Sequence, residues 1–135
     1  MSDPLIEARI AFERDHDASR ARELVDRAIA AMTERTAEQC GRIAARLVML
    51  GDRERALPFA REAIELDASG STIVLGTRHM FYAKLLHELH RWREAAHHAS
   101  EGARLYALGC AADDRELAFV RADAARIIAS YSTEP

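Results

Sequence analysis

Apolar residues recur along this chain at intervals of three and four, the spacing of one face of an α-helix. No stretch alternates apolar with polar residues as a half-buried strand would. Asp3-Pro4 sets a capping side chain before a proline at the first helical position and predicts a helix over 4–14, with Ile6, Ile10 and Leu5 as its apolar stripe. The charged run 13–17 breaks it, and Leu24, Val25, Ala28, Ile29 and Met32 mark a second helix to residue 32. Thr36 and Gln39 form a capping box for a third, which turns Cys40, Ile43, Ala44, Leu47 and Leu50 inward and stops at Gly51. Asp52 is expected to cap a fourth through Asp67, bent or loosened at Pro58, an interior position where proline costs about 3 kcal/mol. After the turn 68–72, a helix runs to about His90, its first turns weakened by Gly76. A sixth spans 92–108 and is closed by Gly109, and a seventh, opened by Asp113 with Glu116, spans 113–131. The chain therefore reads as all-α, with about seven helices joined by short turns.

The helices also repeat. Under a shift of 39, Ala44, Leu47 and Leu50 fall on Ala83, Leu86 and Leu89, while Ala56, Ala60, Ala63 and Leu66 fall on Ala95, Ala99, Gly102 and Leu105. A shift of 35 in the other direction places Ala21, Leu24, Val25 and Ala28 at the equivalents of Ala56, Phe59, Ala60 and Ala63. Small residues recur where two antiparallel helices approach closely, and large ones where neighbouring hairpins meet. Similar hairpins stacked in one domain over residues 1–135 follow: about 4–32, 36–67 and 72–108, then a terminal capping helix at 113–131.

The segment Ala44, Leu47, Leu50-Gly51-Asp52, Ala56, Phe59-Ala60, Ala63-Ile64-Glu65-Leu66-Asp67 resembles a tetratricopeptide repeat, a helix-turn-helix unit of 34 residues. The next unit is similar, with Trp92 in the aromatic turn position and His90 in place of the usual turn glycine. Its longer spacing looks like the variety of roughly 40 residues found in regulatory bacterial proteins. The resemblance implies a right-handed stack of antiparallel hairpins, a TPR-like α-solenoid. It also implies a protein without catalytic residues, a scaffold or regulatory adaptor that binds a protein or peptide partner in a concave groove. By the family's register the groove would carry Arg42, Ala45 and Met49 from one hairpin and Met80, Lys84 and His87 from the next. Met49, Met80 and Phe81 would form an adaptable apolar strip, and Arg42 and Lys84 would clamp a partner's carboxylate. The family's better-known clamp needs Asn and Lys, and this chain has no Asn.

Composition narrows the remaining classes. Hydrophobic residues make up 49% and charged residues 30%, a balance that folds. The net charge of −3 gives no footprint for nucleic acid. No apolar run is long enough for a membrane span, and the charged N-terminus argues for the cytoplasm. Cys40 and Cys110 stand apart and read as small buried hydrophobes. No nucleophile elbow, P-loop or dinucleotide fingerprint occurs, so no enzyme and no cofactor is expected.

Two alternatives come from other classes. The last helix could drive homo-oligomerisation through Leu117, Phe119, Val120, Ile127 and Ile128. His79, His87, His90, His97 and His98 crowd into twenty residues, which would suit a metal or small-ligand sensor. However, His87 and His90 are one residue too close for the HExxH arrangement, and no metal site is expected. Trp92 is read as a wedge between two helices.

Overall fold

The computed structural model describes residues 3–132, which form seven α-helices and, among the described residues, no strand. They are α1 (Pro4–Glu13), α2 (Ala18–Ala31), α3 (Ala37–Met49), α4 (Arg53–Glu65), α5 (Thr72–Glu88), α6 (Trp92–Leu108) and α7 (Arg115–Ser132). Side-chain caps start most of them as local chemistry dictates. Asp3, Asp17, Thr36 and Ser71 accept hydrogen bonds from the backbone N–H groups of Leu5, Arg20, Gln39 and Val74. Two caps differ from expectation. Asp114, not Asp113, accepts from Leu117 N at 3.1 Å. Asp52 occupies the cap position of α4 but makes no capping bond, and its carboxylate lies 3.9 Å from Arg22 Nε instead. α4 runs on through Pro58, which lies on its exposed side.

The chain divides between Leu66 and Asp67 into two compact units. In the first, α1 pairs with α2 and α3 with α4, and α3 packs on both α1 and α2. The buried face of α1 is Leu5, Ala8 and Ala11, while Ile6 and Ile10 are 53% and 39% exposed. The expected stripe was therefore turned by about one residue, roughly 100°. Small side chains let α2 come close, so the alanine face won over the bulkier one.

In the second unit α5, α6 and α7 pack on one another. Gly76, read from the sequence as a weak point of α5, is a crossing point. A β-carbon there would lie 2.8 Å from both the Gly102 carbonyl oxygen and the Tyr106 backbone nitrogen. Asp67 fastens the start of this unit. It is bound by the Arg78 guanidinium and accepts from Ser69 N at 3.0 Å and Ser69 Oγ at 2.8 Å. Both members of the pair are largely buried, at 6% and 17% side-chain exposure.

The hairpins share one turn. His16, Gly51 and His90 have φ of 52°, 83° and 61°, and each precedes the cap residue of the next helix, Asp17, Asp52 or Arg91. These positions are separated by the shifts of 35 and 39 that superpose the sequence. The bonds match at the second and third of these turns, whereas at the first Asp17 N donates to Ala11 O, one residue further back. Gly51 N donates to Val48 O and Asp52 N to Leu47 O; His90 N donates to His87 O and Arg91 N to Leu86 O. Ala21, Ala56 and Ala95 are each fully buried at the equivalent place in the following helix.

Candidate functional site

In the first unit, the exposed flank of α3 carries Arg42, Ala45 and Met49, all half-buried. Arg42 is not a free cation. Its guanidinium binds the Asp3 carboxylate and donates to Gln39 Oε1 at 3.2 Å, and the bond to Arg42 holds the Asp3 carboxyl below its usual range. Arg46, one turn on, donates from Nε to the Leu5 carbonyl at 3.0 Å. Both arginines thus tie α3 to α1.

In the second unit the predicted residues lie on α5 where it meets α7. Met80 is 6% exposed, which corrects its place in an exposed apolar strip: it fills the space above Gly102, whose β-carbon would fall 2.9 Å from Met80 Cγ. Lys84 Nζ lies 2.9 Å from Asp123 Oδ2. His87 Nε2 and Ser130 Oγ share a hydrogen bond of 2.9 Å, and the His87 ring meets Trp92 edge-on at 5.0 Å. Burial, and then the nearby Arg126, lower the His87 pKa. The Trp92 ring meets His87 of α5 edge-on and stacks on His90 of the turn.

Thr77, Met80, Phe81 and Lys84 of α5, with Tyr106 of α6 and Glu116, Val120 and Asp123 of α7, line one open pocket of about 290 Å³. Its walls are mainly apolar and aromatic. Lys84 is neutralised by Asp123, whereas Glu116 makes no ion pair with any of the described residues. The Tyr106 phenol is pushed up by desolvation and then by the carboxylates of Asp114 and Glu116. Of this lining, the sequence pattern placed Met80, Phe81 and Lys84 in the groove and Val120 on the self-association face, read Glu116 only as a cap partner, and gave no role to Tyr106 or Asp123. The signal for the α7 residues was a further repeat, since Leu117, Ala124 and Ile127 are buried 41 residues after Gly76, Ala83 and Leu86.

The histidines do not converge on a metal. Among the described residues, no three His, Cys, Asp or Glu side chains form a ligand set. His79 and His98 instead share a hydrogen bond, Nδ1 to Nδ1 at 2.9 Å, with ring centroids 5.1 Å apart and planes 25° from parallel. Nitrogens that close, between centroids that far apart, put the rings edge to edge, with one N–H donating into the other ring's lone pair. Desolvation, and then His79 and His97, push His98 down to about 4, and burial also lowers His79. The rings are neutral at pH 7. Cys40 is buried with its thiol raised by desolvation and by Glu62, while Cys110 is only half-buried, contrary to expectation.

The last-helix face expected to drive self-association is split. Leu117 and Ile127 are buried within the second unit, Val120 and Ile128 are half-buried, and Phe119 is 62% exposed. Among the described residues, no helix is long and apolar enough to cross a membrane.

Comparison with protein-family models, with curated proteins and with solved structures finds no match in any of the three.

Proposed function

We propose that the chain is a non-enzymatic protein-interaction module, a tetratricopeptide-like α-solenoid that binds a partner peptide or helix on the exposed flanks of its inner helices. Supporting the repeat reading, the left-handed turn recurs at His16, Gly51 and His90, and α7 meets α5 about as lightly as α3 meets α1, although α7 packs far more extensively on α6 than α3 does on α2. The observation that carries the binding reading is the open pocket on α5, walled by Phe81, Met80 and Val120 and rimmed by charge. A few polar groups around an apolar concavity are what a recognition site needs. Rigid helices keep such a surface preformed, so docking loses less ordering entropy. The module works in the cytoplasm and uses no cofactor.

Selection of a random displayed peptide library on the immobilised full chain tests this. Enriched peptides should lose about tenfold or more in affinity for Phe81→Ser, with helical circular dichroism unchanged. No enrichment, or enriched peptides indifferent to Phe81→Ser and to Met49→Glu, defeats the reading. Self-association is the second reading, favoured by Leu108 and Phe119 at 66% and 62% exposure. A constant monomer mass by light scattering across a hundredfold concentration range removes it.

A further inference from the structure

The pocket between α5, α6 and α7 has a chemistry more specific than that of an apolar groove. Its lining holds two carboxylates and one ammonium, and the ammonium of Lys84 is bound to Asp123. That leaves Glu116 as the uncompensated charge, beside the rings of Phe81 and Tyr106 and above the apolar floor of Met80 and Val120. Desolvation, and then the carboxylates of Asp114 and Glu116, raise the Tyr106 phenol. At about 290 Å³ the pocket sits at the lower limit for small-molecule sites, a size for one side chain and not for a drug-sized ligand.

Resting on the binding reading above, we infer that this pocket takes an arginine side chain of the partner peptide. Its guanidinium would pair with Glu116 against Phe81 and Tyr106, and its methylenes would lie on Met80 and Val120. A guanidinium combines a flat, weakly hydrated face that stacks on aromatic rings with a fork that matches a carboxylate. The chain already uses this combination internally. Arg35 lies over the Phe59 ring at 5.4 Å while its Nε donates to the Glu62 carboxylate at 2.8 and 2.9 Å. The pocket offers the same two components, ring and carboxylate, with its own ammonium, Lys84, committed to Asp123.

The test uses the full chain and two probes, acetyl-Gly-Arg-Gly-amide and its citrulline counterpart, which keeps the shape and removes the charge. Methyl NMR signals of Thr77, Met80 and Val120 report occupancy. The arginine probe should shift them saturably and the citrulline probe should not. Glu116→Gln should weaken binding about two- to fivefold, with Glu116→Asp restoring most of it and added salt weakening it in parallel. Equal shifts from both probes, or an unchanged affinity in Glu116→Gln, overturn the arginine assignment while leaving the interaction module intact. An arginine probe that moves signals only elsewhere on the surface overturns it too. Failure of the module itself is read separately, from the displayed library.

Discussion

The carbonyl oxygen of Gly102 lies 2.8 Å from the point where a β-carbon on Gly76 would sit, so α5 and α6 cross with their backbones nearly in contact. Neither partner can retreat, because the obstructing atoms are backbone. Gly76→Ala should therefore destabilise the second unit by about 1–3 kcal/mol, even though alanine is the better helix former by about 1 kcal/mol. Urea unfolding of the variant against wild type decides which effect wins. An unchanged or raised midpoint would show that the crossing relaxes freely.

Gly51 isolates the other use of glycine. A β-carbon there meets nothing within 4 Å, so only the φ of 83° opposes a side chain. Gly51→Val should cost about 1–2 kcal/mol through backbone strain alone, whereas Gly51→Asn should cost less, since Asn tolerates the left-handed region. Thermal melts of the two variants should rank in that order.

Arg78 and Asp67 form a buried pair, and removing one member strands the other. Arg78→Leu should destabilise by about 2–4 kcal/mol, and the double change with Asp67→Ala should recover part of that loss. Burial pushes the Asp67 carboxyl up, but its bonds to Ser69 and Arg78 outweigh this and hold it below the ordinary value. Its contribution is thus present above the ordinary carboxylate pKa and is lost as pH falls through the lowered one. Denaturation at pH 7 and pH 2.5 checks both statements: the penalty of Arg78→Leu should shrink at the lower pH.

The His79–His98 bond makes the second unit sensitive to mild acid. The His98 pKa of about 4 lies below its unfolded value near 6.5, so the unfolded chain takes up the proton first. Stability from this pair is complete above about pH 6.5 and is lost as pH falls toward 4. Glu101 opposes the loss, while His97 adds to it. The repeat places Phe59 at the position of His98, so His98→Phe fits the site in kind. The variant should lose about 1–2 kcal/mol less than wild type between pH 7 and pH 4.5. Parallel pH profiles for the two proteins would refute the assignment.

Much of this fold was legible because its signals are local. Thr36, Gly51 and Asp3-Pro4 each fix a helix end through bonds or φ within a few residues, whereas the Gln39 side chain expected to complete a capping box accepts from Arg42 instead. What sequence missed depends on neighbours. Ile6 and Leu5 fit a ten-residue helix in either register, and its neighbours α2 and α3 decide which face it buries. Met80 matches Gly41 under the shift of 39, but its burial reflects the room left by Gly102. The pocket was half visible: Phe81 and Lys84 were expected in the groove and Val120 on a self-association face, while Tyr106 and Asp123 carried no expectation and Glu116 was read only as a cap partner. The α7 residues lie on a helix whose register drifts to 41, beyond the period read from the two clear hairpins, whereas Tyr106 belongs to α6.

The Asp67 clasp also decides where the molecule can be cut. Every partner of that carboxylate, Ser69 and Arg78, belongs to the second unit, so a fragment begun at Asp67 keeps its own fastening at the leading edge. One begun a residue later leaves the Arg78 guanidinium stranded beneath a loose turn. A single backbone position therefore decides whether that leading edge carries its own clasp.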